Sequence, residues 1–178
     1  LAPGAAATAH LAIPFVPGLT PAERMRLAAL DYEAERARVI SFWREATAKG
    51  IPFRVPEERF NSFAKGLIAR IRISATKDPA SGLYMVPAAS YSYKVFANEA
   101  AFQSQLLDRA GYQGLSRKYL QTLVDLQGSK PFPGTYTGQK AVYHGARVNA
   151  DYDYTASNYG LDHGTVLWTL ADHYAITR

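Results

Sequence analysis

The chain of 178 residues has the length of about one domain, and its 48% hydrophobic and 20% charged residues are typical of a folded globular protein. It has no cysteine, which excludes a disulfide framework and a thiolate zinc site but leaves the compartment open, and no apolar run approaches the ~18 residues that span a bilayer. The net charge is +5, but arginines alternate with acidic residues along 23–45, as on a solvated helix, so we expect neither nucleic acid nor membrane as a partner.

The first segment predicts a β-strand. Apolar residues recur at every second position of 7–13, and Pro14 ends the pattern because proline has no N–H to donate to a ladder. One strand alone is not stable in water. We therefore expect residues 1–19 to be the last strand of an N-terminal β domain, and the chain to begin inside a longer protein.

The second segment, 20–50, predicts one long linker helix over 21–49. Thr20 is a good N-cap, Pro21 suits the first helical position, Glu23 completes a capping box, and Gly50 ends the pattern. The helix is apolar on one face and charged on the other, which is typical of a connector along a domain junction.

Residues 51–178 predict helical hairpins. Pro56 opens a helix over 56–76 with a core-facing stripe, made of Phe60, Phe63, Ala64, Leu67, Ile68 and Ile71. Asn98 and Ser116 are N-cap candidates for helices over 98–110 and 116–127, which Gly111 separates.

The last part combines a long loop with an apolar helix. Residues 129–160 hold several glycines and tyrosines, so we expect a functional loop in which the tyrosines could form a platform for a sugar or simply cover the core. Asp162 predicts an N-cap for a helix over 162–177. Eight of the twelve residues from Thr165 to Ile176 are apolar, so we expect this helix to be buried all round, by parts outside this chain.

Three runs of sequence resemble the six-hairpin glycosidases, whose glucoamylase-like fold is an (α/α)6 toroid. The run Leu161–Arg178, with its Asp-His-Gly start, Leu-Trp-Thr-Leu centre and His-Tyr-Ala-Ile-Thr end, resembles one inner helix, and Phe96–Tyr112 resembles an earlier one. Lys118–Gln127 resembles the outer helix that follows. The resemblance implies a mainly α fold: part of a toroid over 51–178, preceded by one strand and a long linker helix.

The resemblance also implies a glycoside hydrolase that acts on an oligo- or polysaccharide. Its sugar site would lie at the end where inner helices begin, with substrate-binding residues Tyr91, Asn98, Glu99, Tyr159, Asp162 and His163. The catalytic residues stay unknown, because the family's general acid lies on a later hairpin. The partners would be a carbohydrate and either the remainder of the toroid or a second copy bound through the 162–177 helix.

Two alternatives remain open. The family usually has an Arg-Asp pair where this chain has Asn98-Glu99, which permits a non-catalytic carbohydrate-binding or scaffold toroid, and helical hairpins also occur in interaction modules. No zinc-type histidine spacing, phosphate loop or dinucleotide motif is present, so we expect no metal and no cofactor. Asp172 and His173, at the far end of the last helix, are expected to serve packing.

Overall fold

In a computed structural model, the described residues are 3–14, 18–78, 81–87, 95–127, 147–149, 152–155 and 159–178, with the backbone alone at 95, 147–149, 152–155 and 159–160. Most of them lie in six helices, so the chain is mainly α as its sequence predicts. It divides into two units, Leu1–Ala46 and Thr47–Arg178.

The N-terminal segment does not form the predicted strand. Residues 3–14 have no regular secondary structure and are exposed throughout. The side-chain alternation favours a strand only where a neighbouring strand accepts its hydrogen bonds, and the described part of the chain supplies none here. The contact that this segment does make is a stack of the His10 ring on the Tyr32 ring, with centroids 4.3 Å apart.

The predicted linker helix over 21–49 is two helices, α1 (Pro21–Ala28) and α2 (Tyr32–Ala48). The capping box at the start of α1 is confirmed: Glu23 N–H donates to the Thr20 hydroxyl, and the Glu23 carboxylate accepts from Thr20. Both bonds to Thr20 lower the pKa of Glu23, and the side-chain bond has a larger effect than the backbone bond. The break was missed because Asp31 is a second N-cap, whose Oδ1 accepts from Ala34 N–H at 2.8 Å.

The second unit contains the four remaining helices, near their predicted positions. They are α3 (Glu58–Ser74), α4 (Ala97–Arg109), α5 (Gln113–Asp125) and α6 (Tyr159–Thr177). The last two each begin three residues earlier than predicted, so neither Ser116 nor Asp162 is the N-cap of its own helix. Asn98 lies inside the first turn of α4.

Short strands occur outside the N-terminal segment. A hairpin pairs β1 (Thr76–Lys77) with β2 (Tyr84–Met85), and β3 (Val95–Phe96) joins β4 (Arg147–Asn149) and β5 (Tyr152–Thr155) in the order β3-β5-β4. Strands β4 and β5 lie in the long loop 129–160, where short strands are compatible with the sequence, whereas the sequence predicts no strand in 17–128 and β1, β2 and β3 correct it. Because each strand in the described part of the chain has at most four residues, these sheets join loops and do not form a layer of the core.

The core lies between the helices of the second unit. Its members are buried apolar side chains of α3, β2, α4, α5 and α6, including Ile68, Ile71, Met85, Val86, Ala97, Ala101, Leu107, Leu120, Leu123 and Val166. The predicted stripe of α3 is only half correct, because Phe60 and Phe63 are exposed. Burial raises the pKa of the core Tyr119 hydroxyl to about 12, and nearby Arg72 opposes this in part.

Gly50 and Gly111 allow the segment after α2 to lie in close contact with the α4–α5 turn. Gly111 has φ +87° and forms a Schellman motif, in which Tyr112 N–H donates to the Leu107 carbonyl at 2.8 Å. The segment after α2 lies directly on this turn, and Ile51 N–H donates to the Ala110 carbonyl at 2.7 Å. A Cβ added at Gly50 would overlap that carbonyl oxygen and the Tyr112 ring.

Candidate functional site

Helices α4 and α6 lie side by side and run parallel. Four polar pairs join them: Asn98 with Asp162, Gln105 with Thr169, Asp108 with His173, and Arg109 with Asp172. The partners are always 63 to 65 residues apart in sequence, so the two helices keep one register along their whole length. Both helices therefore begin at the same end of the pair, the entry end.

Asp162 is the central side chain of the entry end. It is 2% exposed, and its Oδ1 accepts from the backbone N–H of Asn98, at 3.3 Å, in the first turn of α4. The sequence predicted a cap, but on the wrong helix: Asp162 belongs to α6 and satisfies an N–H of α4. A helix leaves its first N–H groups without intrahelical acceptors, which explains why a buried carboxylate is stable here.

The other predicted site residues divide by exposure. Glu99 is exposed in the first turn of α4, Asn98 is half-buried and accepts from Glu99 N–H at 2.9 Å, and His163 is half-buried beside Asp162. The backbone of Tyr159 starts α6 at the same end. Tyr91, Tyr136 and Tyr143 lie outside the described residues, and only the backbone is described for Tyr152 and Tyr154.

The segments that lead into α4 and α6 are joined to each other. Strand β3, directly before α4, pairs in parallel with β5, which ends four residues before α6, so that Val95 lies opposite Tyr154. Strand β4 then pairs antiparallel with β5. A three-stranded sheet thus leads into the entry end, and two of its strands, β4 and β5, come from the loop 129–160 that the sequence analysis marked as functional.

The far end of the helix pair carries two crossed polar contacts that the sequence analysis missed in part. His173 Nδ1 lies 2.9 Å from Asp108 Oδ1, and Arg109 lies 2.9 Å from Asp172 Oδ2. These contacts agree with the packing role expected for Asp172 and His173. The missed residue is Asp108, which is 1% exposed and whose Oδ2 has no hydrogen-bond partner among the described residues.

The sequence contains a pattern that agrees with this arrangement of α4 and α6. Polar residues occur at matching intervals on the two helices, at 98, 105, 108 and 109 on α4 and at 162, 169, 172 and 173 on α6. Intervals of seven and eleven residues fall on one face of a helix. Two faces with the same polar spacing indicate parallel pairing in register.

The described residues supply no obvious place for a metal. They contain no group of three or more His, Asp or Glu side chains placed to hold an ion. None of the helices in the described part of the chain has the length and hydrophobicity needed to cross a membrane. Comparison with protein-family models, with curated proteins and with solved structures gave no match to this chain.

Proposed function

We propose that this chain forms part of an (α/α)6 toroid of the glycoside hydrolase type and binds an oligo- or polysaccharide at the entry end of α4 and α6. The supporting observation is the parallel, in-register packing of these two helices with the antiparallel α5 between them in sequence. A toroid of helical hairpins needs this arrangement, since successive inner helices run parallel and each outer helix returns the chain.

The side chains of the entry end suit a polyhydroxylated ligand. Glu99 offers an exposed carboxylate that can accept two hydroxyl hydrogen bonds, and the half-buried Asn98 and His163 can donate or accept beside it. Asp162 acts differently in this proposal: it is buried and already bonded to Asn98 N–H, so it positions the start of α4.

The same geometry gives a reason to expect binding without hydrolysis. Glycosidic bond cleavage ordinarily requires two carboxyl groups that flank the bond. On α4 and α6, Glu99 is the exposed carboxyl group of the entry end and Asp162 is withdrawn from solvent. The active site is therefore incomplete in this proposal, and other hairpins of the toroid supply the general acid.

The test is oligosaccharide binding by the whole chain, measured by calorimetry across a panel of neutral glucans, mannans and xylans. Glu99→Gln is expected to weaken binding about tenfold, because it replaces a charged acceptor with a neutral amide. Glu57→Gln is the matched control, since Glu57 is an exposed carboxylate at the start of a different helix and caps it with no side-chain bond.

Two results would contradict the proposal. One is equal binding by the wild type and Glu99→Gln, and the other is the absence of binding to every glycan in the panel. Turnover of a bound oligosaccharide by this chain would instead show that the site is complete, against the incomplete site proposed above.

A second candidate, a helical interaction module, is favoured by the outer face of α6. Leu167, Trp168 and Tyr174 are 48%, 53% and 68% exposed. Side chains of this size normally pack against protein, and a contiguous exposed apolar patch is typical of an interface. The occupant would be a further hairpin of the toroid or a second copy of the chain.

A further inference from the structure

A concave site lies at the opposite end of α4 from the entry end. It encloses about 520 Å³, within the range of small-molecule pockets, and its walls come from the segment after α2, the first half of α3 and the α4–α5 turn. Its lining includes Gly50 and Tyr112, which lie where the segment after α2 meets the α4–α5 turn, and Ala64 and Ile68 of α3.

The link 51–57 holds the pocket open because its backbone is fixed at both ends. Ile51 N–H is bonded to the Ala110 carbonyl, as described above. At the other end the buried Asn61 amide accepts from Val55 N–H at 2.8 Å and donates to the Val55 carbonyl at 2.9 Å. The Asn61 amide therefore makes the two backbone hydrogen bonds that a neighbouring strand would make. The link 51–57 keeps its shape without a ligand.

The charges of the lining favour an anion. Arg54 and Lys65 are exposed cations of the lining, and no described carboxylate pairs with either of them. Among the described lining residues Glu58 is the one acidic side chain, and it accepts from Asn61 Nδ2 at 3.1 Å, so two cations and one carboxylate leave the lining with a net positive charge. The lining thus combines apolar side chains, among them Ile68 and Tyr112, with Arg54 and Lys65.

We propose that this pocket binds a small monoanion with an apolar body and a terminal carboxylate. The body would contact Ala64, Ile68 and Tyr112, and the carboxylate would lie between Arg54 and Lys65. Neither the sugar proposal nor the resemblance assigns a site here, and the inference does not depend on them because it concerns the other end of α4.

The experiment titrates the ¹⁵N-labelled full chain with 3-phenylpropionate and follows the amide signals. We expect saturable shifts at Gly50, Ile68 and Tyr112, with a dissociation constant in the millimolar range or tighter for a ligand of this size. The neutral analogue 3-phenylpropanol and the cationic analogue 3-phenylpropylammonium should bind at least tenfold more weakly.

The variants separate the pocket from general charge effects. Arg54→Gln with Lys65→Gln should weaken 3-phenylpropionate binding about tenfold or more, because both charges that face the carboxylate are removed. Arg59→Gln with Arg70→Gln makes the same change in net charge on exposed residues of α3 that do not line the pocket, and should stay within twofold of the wild type.

Four outcomes would overturn the proposal. They are no saturable shift, shifts that lie on the exposed face of α6 instead, equal binding of the neutral or cationic analogue, and equal losses in the two double variants. Because all four charged side chains are exposed, the variants are expected to fold, and their amide spectra check this directly.

Discussion

At the scale of single residues, Gly111 at the α4–α5 turn is required for two separate reasons. Its backbone has φ +87°, and a Cβ at this position would lie 2.7 Å from Ile51 N. The positive φ is needed for the Schellman motif, and the missing Cβ leaves room for the segment at Ile51 that crosses the turn. A side chain at Gly111 therefore conflicts both with its own backbone and with a neighbouring one.

Gly111→Ala is expected to lower the free energy of unfolding by about 2–4 kcal/mol, since left-handed backbone strain and overlap with Ile51 add. Urea unfolding followed by circular dichroism measures the change. Gly66→Ala is the control, because Gly66 lies inside α3 with nothing within 4 Å of an added Cβ. It should stabilise the chain by about 0.5–1 kcal/mol. Equal effects of the two substitutions would contradict the role given to Gly111.

The sequence could indicate part of this detail. A glycine after a helical pattern predicts a C-terminal cap, and Gly111 is one. Gly50 also looked like a helix end, but its close approach to Ala110 and Tyr112 depends on residues sixty positions away. Local patterns carry no information on such a contact, so the crossing and the pocket beside it could be found only in the structure.

At the scale of elements, the α4–α6 interface is unusual in being held by polar side chains as well as by packing. Buried Gln105 donates to the Thr169 hydroxyl at 2.9 Å, and Thr169 donates in turn to the Thr165 carbonyl at 2.8 Å. These bonds fix the register of the two helices. A purely apolar interface would tolerate a shift along the axis more easily.

The bond between Gln105 and Thr169 can be tested by a double-mutant cycle. Thr169→Val keeps the side-chain shape but leaves a buried amide without its acceptor, so we expect a loss of about 1–3 kcal/mol in unfolding free energy. Adding Gln105→Met removes the amide that lacks an acceptor and should recover most of the lost unfolding free energy. Additive losses in the double variant would show that the two side chains do not interact.

Helix positions were largely predictable because capping residues and apolar periodicity are local. The exceptions have physical causes: Asp31 divides the expected linker helix, and α5 and α6 start one turn before their apparent caps. The partner of each helix was not predictable in the same way. The apolar composition of α6 predicted burial on every side, whereas its buried face contains Asp162, Thr165 and Thr169.

At the scale of the whole molecule, the outer face of α6 is one of several exposed apolar surfaces that bear on the expected behaviour in solution. Leaving several large apolar side chains in water forgoes ~1.5–3 kcal/mol for each one that could be buried, against a typical net stability of ~5–15 kcal/mol. We therefore propose an association that covers this face. The partner that covers it would be other hairpins of a toroid or a second copy of the chain.

We expect the purified chain to self-associate at micromolar concentration, as measured by sedimentation velocity. Leu167→Lys with Trp168→Lys should restore a monomer, because both side chains are about half exposed and the change adds charge to the patch. Phe60→Lys with Phe63→Lys is the control on the exposed face of α3 and should leave association unchanged. A wild-type chain that stays monomeric would contradict this use of α6.

The parallel course of α4 and α6 has an electrostatic consequence. Peptide dipoles add along a helix to about half a positive charge at its start, and two parallel neighbours bring these charges together instead of cancelling them. Such neighbours repel each other at that end. The carboxylate of Asp162 lies in the first turn of α6 and on the first turn of α4, so one buried negative charge offsets both. The residue that the resemblance implies for ligand binding thus also places a counter-charge where two helices start side by side.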